Sequence, residues 1–219
     1  MHYNFANNTF DLVVSITGMT NLATASHLHE AAVGANGGVV TTLGGETAFT
    51  RSGNTLTATF TNIRHGGTPL TLMRGGAYFN IHSVQFPGGE VRGQLIGQPV
   101  KLYSKMDVAQ EAAAMPTQNF AALNDFGGAL MTYDPATNQM SLRTSVFNFT
   151  NTMNNSHFHA GAPGVSGGVV QNLGGNPNAA AGATATQLTT YSNVSGAIQG
   201  SYDGTFGGDP VVLVTGGTY

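Results

Sequence analysis

Two histidine pairs stand out in the chain, His27-Leu28-His29 and His157-Phe158-His159. In an extended strand the side chains alternate between faces, so residues two apart point the same way. Each pair therefore projects two imidazoles together. A third fragment, Asn80-Ile81-His82, has the same spacing and puts Asn80 and His82 on one face, with Phe79 and Ile81 opposite. If the His82 strand lies beside the His27 strand, three imidazoles converge. Such a set suits Cu(II) or Zn(II), with water or a carboxylate as fourth ligand; Glu30 and Glu90 are the oxygen donors to consider. The candidate ligands are thus His27, His29, His82, His157 and His159. A structural use competes with this one, in which imidazoles at a sheet end donate to loop carbonyls and hold the Gly-rich segment after each pair. General acid–base catalysis has less behind it. No Ser/His/Asp set or close carboxylate pair accompanies the histidines, and no catalytic residue is assigned. His2 and His65 have no histidine counterpart elsewhere in the chain and read as surface residues.

The elements that must carry these side chains are strands. Alternating or β-rich runs bounded by Gly, Asn or Asp cover Thr9–Thr17, Thr55–Ile63, Ala77–Val84, Glu90–Met106, Gly128–Tyr133, Gln139–Phe149, Ser195–Tyr202 and Pro210–Val214. Turn signals fall at Asp134-Pro135-Ala136-Thr137-Asn138 and Pro87-Gly88-Gly89. The one helical pattern, Val108–Met115, is short and ends at Pro116, so it reads as a loop element. Strands at this spacing imply an all-β chain of tandem antiparallel β-sandwich or Greek-key barrel modules.

Composition supports that class. Glycine occurs 31 times and only 8% of the 219 residues are charged, with a formal net charge of −3. The seven Lys and Arg residues are scattered, which argues against nucleic acid as a partner. Without cysteine, neither disulfides nor thiolate metal sites can form. No apolar run reaches membrane-spanning length, and the first residues carry no signal-peptide pattern. A polar, uncharged, Thr- and Asn-rich chain nevertheless reads as extracellular or cell-surface, with the secretion signal expected outside this stretch.

The chain also repeats itself. Residues 1–45 align without a gap on 131–175, and 20 of 45 positions are identical. Ser26-His27-Leu28-His29 falls on Ser156-His157-Phe158-His159, and Gly37-Gly38-Val39-Val40 on Gly167-Gly168-Val169-Val170. The register returns eleven residues later, where His65 to Tyr78 falls on Phe206 to Tyr219. The expected division is a first module over 1–100, lacking a lead-in strand, and a second over 101–219, lacking the Asn-x-His and Gly-Glu-x-Arg strands. Interrupted modules expose unpaired backbone groups. Two explanations stand: the chain is a window on a longer protein, or neighbouring subunits complete each other's sheets in a homo-oligomer or filament.

Taken in order, Ser-His-x-His, Gly-Gly-Val-Val, Ala77-Tyr78-Phe79-Asn80-Ile81-His82-Ser83 and Pro87-Gly88-Gly89-Glu90-Val91-Arg92-Gly93-Gln94-Leu95 resemble the CHRD (chordin-type) domain. His157-Phe158-His159-Ala160-Gly161-Ala162-Pro163-Gly164 resembles the family's His-containing turn more closely than the first copy, which has Glu30 and Val33 in place of Gly and Pro. Ala109-Gln110-Glu111 resembles the family's opening segment. The resemblance implies a secreted, all-β module found in chordin-like animal proteins and bacterial surface proteins, and it implies no settled activity. Tandem copies, low charge, the lack of cysteine and the lack of a catalytic constellation lead to the expectation of a non-enzymatic extracellular structural module of a repetitive cell-surface protein or filament. The alternative is a copper- or zinc-binding module built on the His pairs.

Glu90 and Arg92 share a strand face and suggest a local ion pair or a backbone tie. Gly44-Gly45 and Gly88-Gly89 suggest turns with φ > 0; none opens a helix, so no phosphate loop is implied. Asn-x-Ser/Thr sequons at Asn7, Asn148, Asn154 and Asn193 are of the kind an Asn- and Thr-rich chain produces by chance.

Overall fold

The computed structural model describes residues 1–149, 153, 155–174, 190–194 and 197–216. Asn154 and the end of the second repeat (Gly175 and 217–219) lie outside them. The chain is built from antiparallel strands and divides into two compact units, Met1–Gln98 and Pro99–Tyr219.

The first unit has two four-stranded sheets. One contains β1 (His2–Asn4), β2 (Thr9–Thr17), β5 (Thr50–Ser52) and β6 (Thr55–Arg64), in the order β1-β2-β6-β5. The other contains β3 (Ala23–Glu30), β4 (Val39–Thr42), β7 (Ala77–Ser83) and β8 (Val91–Leu95), in the order β4-β3-β7-β8. Alternation drives the packing. Phe10, Leu12, Val14 and Leu56 from the first sheet meet Leu28, Phe79 and Ile81 from the second in one buried core. The sheets stay open, so the unit is a sandwich and not a closed barrel.

The second unit holds a five-stranded sheet of β9 (Val100–Asp107), β10 (Phe126–Asp134), β11 (Gln139–Phe147), β14 (Thr190–Val194) and β15 (Ala197–Thr205), ordered β14-β15-β11-β10-β9. A two-stranded ladder joins β12 (Ser156–Ala160) to β13 (Gly168–Gly174). The buried side chains include Met131, Tyr133, Met140, Leu142, Leu173, Tyr202, Phe206 and Leu213.

Three segments differ from the expectation. Val108–Ala114 forms a helix, because Asp107 caps it by accepting from the Gln110 backbone N–H at 3.0 Å. Pro210–Val214 is also helical, not a strand. Pro210 stands at the first helical position, and Asp209 accepts from the Val211 N–H at 2.8 Å. This start signal outweighs the β-branched run for a single turn, and Pro69–Met73 makes the same turn in the first unit. The run Glu90–Met106 is two strands, β8 and β9, belonging to different units.

One clamp is common to both units. Asn8 and Asn138 adopt left-handed backbone at φ 58° and 57°. Their side-chain oxygens accept from the hydroxyls of Tyr3 and Tyr133, and their amides donate to the carbonyls of His65 and Phe206 at 3.0 Å each. This places residue 65 in the core, so His65 is not a surface residue. It is 1% exposed, against 1% for Phe206, and among the described residues neither ring nitrogen has a hydrogen-bond partner. Its nearest charge is Glu30, with 3.6 Å between Nε2 and Oε1. His2, by contrast, is exposed.

Burial pushes the His65 imidazole below its ordinary pKa, against the upward pull of Glu30. The unfolded chain then binds the extra proton first as the pH drops. Stability is full above about pH 6.5 and declines as pH falls from there toward the depressed folded value. Urea unfolding at about pH 7.5 and about pH 5 should show a smaller acid loss in His65→Phe than in the wild type. An equal loss in both would contradict this account.

Candidate metal centre

The pairing of β3 with β7 decides what the histidines can do. His27 faces Asn80, His29 faces Tyr78, and Ala25 faces His82 in the antiparallel register, with a bulge between Ala23 and Ala25. Directly opposed residues project to one side. The outer face therefore carries His27, His29, Tyr78, Asn80 and His82, and β8 adds Arg92 opposite Asn80. The other face is anchored by Leu28 and Ile81, both at 0% exposure.

His27, His29 and His82 each present one ring nitrogen, and the three lie within 4.8 Å of one another. Their tautomers are set by carbonyls. His29 Nδ1 sits 2.9 Å from the Gly37 oxygen and His82 Nδ1 sits 2.8 Å from the Pro87 oxygen. A carbonyl only accepts, so both Nδ1 atoms donate, and in the neutral rings both Nε2 atoms carry lone pairs. His27 Nδ1 lies 3.0 Å from His82 Nε2 and donates its proton there. The Asn80 side-chain oxygen lies 3.0 Å from His29 Nε2. An oxygen cannot satisfy a lone pair, so the neutral ring calls for the Asn80 amide turned with its nitrogen inward. Burial, then repulsion from His82 and His29, holds the His27 imidazole below its usual pKa.

His29 and His82 share one feature of metal-binding histidines, a ring nitrogen that donates to a backbone carbonyl and fixes the ring, while their Nε2 atoms meet Asn80 and His27. Zinc–nitrogen bonds of about 2.0–2.1 Å at tetrahedral angles need ligand nitrogens about 3.3 Å apart. To share a metal, His27 and His82, 3.0 Å apart, would have to open by a few tenths of an ångström, the His27 proton would have to move to the ring's Nε2, and any pair nearer the 4.8 Å limit of the cluster would have to close.

Neighbouring groups stiffen the cluster. Tyr78 stacks on His29 at 4.8 Å between centroids and 3° between planes, and the Arg92 guanidinium covers the Tyr78 ring at 3.6 Å. The Tyr78 hydroxyl accepts from the Gly37 N–H at 3.2 Å, so Gly37 is held at both its polar ends. Gly37 has no room for a side chain, since a Cβ there would come within 1.9 Å of the Glu30 carbonyl oxygen. Arg92 Nη1 donates to the Ala35 carbonyl at 3.0 Å. It makes the backbone tie and no ion pair with Glu90, whose carboxylate takes Asn21 and Ser83. Glu30 accepts from the Thr68 N–H. Neither glutamate joins the imidazole cluster among the described residues. Gly44 and Gly89 have φ of +116° and +120°, whereas Gly45 and Gly88 do not occupy the left-handed region.

The second unit reproduces half of the arrangement. His157 and His159 stand 5.5 Å apart at 89°, against 5.6 Å and 86° for His27 and His29. His159 Nδ1 bonds the Gly167 carbonyl at 2.8 Å. Among the described residues no third ligand joins this pair.

The fold and site together define a tandem of β-sandwich-type units, each displaying a strand-borne histidine pair. A family model for the CHRD domain matches residues 1–95 and again 103–208, and the chain belongs to that family. No curated protein matches the chain. No helix among the described residues is long and apolar enough to cross a membrane.

Tyr78→Phe removes the acceptor of the Gly37 N–H and should cost about 1 kcal/mol. The urea midpoint should fall with an unchanged m-value, and amide exchange should quicken at Gly37. An unaltered Gly37 exchange rate would sink the positioning role.

Proposed function

We propose that this chain is a non-enzymatic, secreted surface module whose first unit binds one Cu(II) or Zn(II) ion through His27, His29 and His82. The observation that carries the reading is the convergence of one ring nitrogen each of His27, His29 and His82 within 4.8 Å, with the Nδ1 atoms of His29 and His82 tied to backbone carbonyls. In the purely structural role two carbonyl ties suffice, and three imidazoles need not share one side of a sheet where protonating any one repels the others. The ligand chemistry favours a borderline divalent ion, with solvent completing the shell.

The surface placement and the assembly of repeated modules into larger arrays belong to the same proposal. They are supported by the tandem CHRD matches, the 8% charged composition and the absence of cysteine. The module limits 1–100 and 101–219 are proposed with them.

Metal analysis of untagged protein dialysed against limiting zinc or copper should find one tightly held ion per chain. His82→Ala should lose it. His27→Gln and His29→Gln together should lose it while near-ultraviolet dichroism shows the fold intact. Retention of the ion by these variants would overturn the site. Shaving of intact producing cells with protease should release fragments of the chain, and complete protection would count against the surface placement.

A further inference from the structure

The loop 31–38 joins β3 to β4 and carries Asn36-Gly37, the one Asn-Gly step in the chain. Such a step can close on itself. The Gly37 nitrogen attacks Cγ of Asn36, the Cγ–Nδ2 bond breaks, and the departing ammonia takes the Gly37 proton. Water then opens the cyclic imide. Cleavage at Cγ gives aspartate; cleavage at the main-chain carbonyl carbon gives isoaspartate, whose backbone runs through the side chain. A following glycine, without Cβ, leaves the attacking nitrogen unscreened. Asn36 is exposed and stands outside helix and strand, so the amide and the water both have the room the reaction needs.

The surroundings set both the rate and the result. The Gly37 N–H, which must give up its proton, donates to the Tyr78 hydroxyl at 3.2 Å, the long end of the range for such bonds. Tyr78 is 3% exposed and stacked with His29 and Arg92, so that hydroxyl is held in place. Asn36 Oδ1 accepts from Arg92 Nη1 at 3.3 Å, so an aspartate carboxylate formed there meets a guanidinium. Isoaspartate has no such fit. It adds one backbone atom just before Gly37, whose carbonyl holds His29 Nδ1 at 2.9 Å and which is packed against the Glu30 carbonyl. The second unit repeats the frame without the chemistry. Ser156 Oγ donates to the Gly174 carbonyl as Ser26 Oγ does to Gly44, and a Cβ on Gly167 would lie 1.8 Å from the Ala160 carbonyl oxygen, but Ser166 precedes that glycine and has no amide to lose. We propose that Asn36 is a self-modifying site. It passes through the imide with Gly37, the Tyr78 hydroxyl retards the step, and the isoaspartate product draws the Gly37 carbonyl off His29. Resting on the metal-binding reading, the same product weakens the first-unit centre by freeing one ligand ring.

Ageing the full chain, stripped of metal, in warm and mildly alkaline buffer tests this, with electron-transfer mass spectrometry of its peptides to tell isoaspartate from aspartate. Conversion at Asn36 should run many-fold ahead of Asn54, which is also exposed but precedes Thr55, and isoaspartate should be among the products. Tyr78→Phe should hasten it several-fold. Equal conversion at Asn36 and Asn54 overturns the site, and an unchanged rate in Tyr78→Phe overturns the part given to the hydroxyl. By nuclear magnetic resonance the isoaspartate fraction should lose the slow exchange of the His29 Nδ1 proton. Asn36→Asp adds the charge without the extra backbone atom and should keep it; the same exchange in both overturns the displacement. Zinc uptake checks the last step. The isoaspartate form should bind several-fold more weakly than fresh protein, and equal binding overturns that consequence. Fresh protein that binds no zinc would instead remove the first-unit centre and leave the modification standing.

Discussion

The antiparallel pairing of Ala23–Glu30 with Ala77–Ser83 is the constraint on which the rest of the first unit turns. It is fixed from the core side. Leu28, Phe79 and Ile81 point into the sandwich, and complete burial of such side chains is worth about 1.5–3 kcal/mol each. A one-residue slip would turn them outward and send the histidines into an apolar core. The polar face thus inherits its order from the apolar one. His27 and His82 come from strands 55 residues apart in sequence, yet their ring nitrogens meet at 3.0 Å.

The two units show which parts of this frame are general and which are local. The Tyr–Asn clamp, the Ser-to-carbonyl bond and the crowded glycine after the His pair occur in both. His65 and Glu30 do not: their counterparts are Phe206 and Ala160. The charged residue and the buried imidazole are exchanged together for apolar ones. That makes the pair a unit in itself, its polar atoms tolerated in the first core and dispensed with in the second.

Much of this was legible in the residues. Period-two patterning gives the strands that feed the core, the internal repeat gives two units of one family, and the His-x-His and Asn-x-His spacings give the polar face. What escaped are features set by three-dimensional context. Nothing about a lone His65 in the chain marks it as buried; only its alignment with Phe206 offered the signal. The helical turn at Pro210 was hidden by a β-branched run, because the deciding information lay in the Asp-Pro pair before it. Tyr78 and the carbonyls of Gly37 and Pro87 carry no chemical motif, although the glycine recurring after each His pair marks where the backbone must pass close.

The stack of His29, Tyr78 and Arg92 has an optical consequence. With no tryptophan in the chain, its near-ultraviolet emission comes from seven tyrosines. Tyr78 lies flat on one of the proposed ligands, 4.8 Å from ring to ring and 3% exposed. A paramagnetic ion held by His29 would sit within contact range of that chromophore, whereas closed-shell zinc would leave it emitting. The molecule carries its own reporter, one that distinguishes the two metals by whether a single tyrosine goes dark.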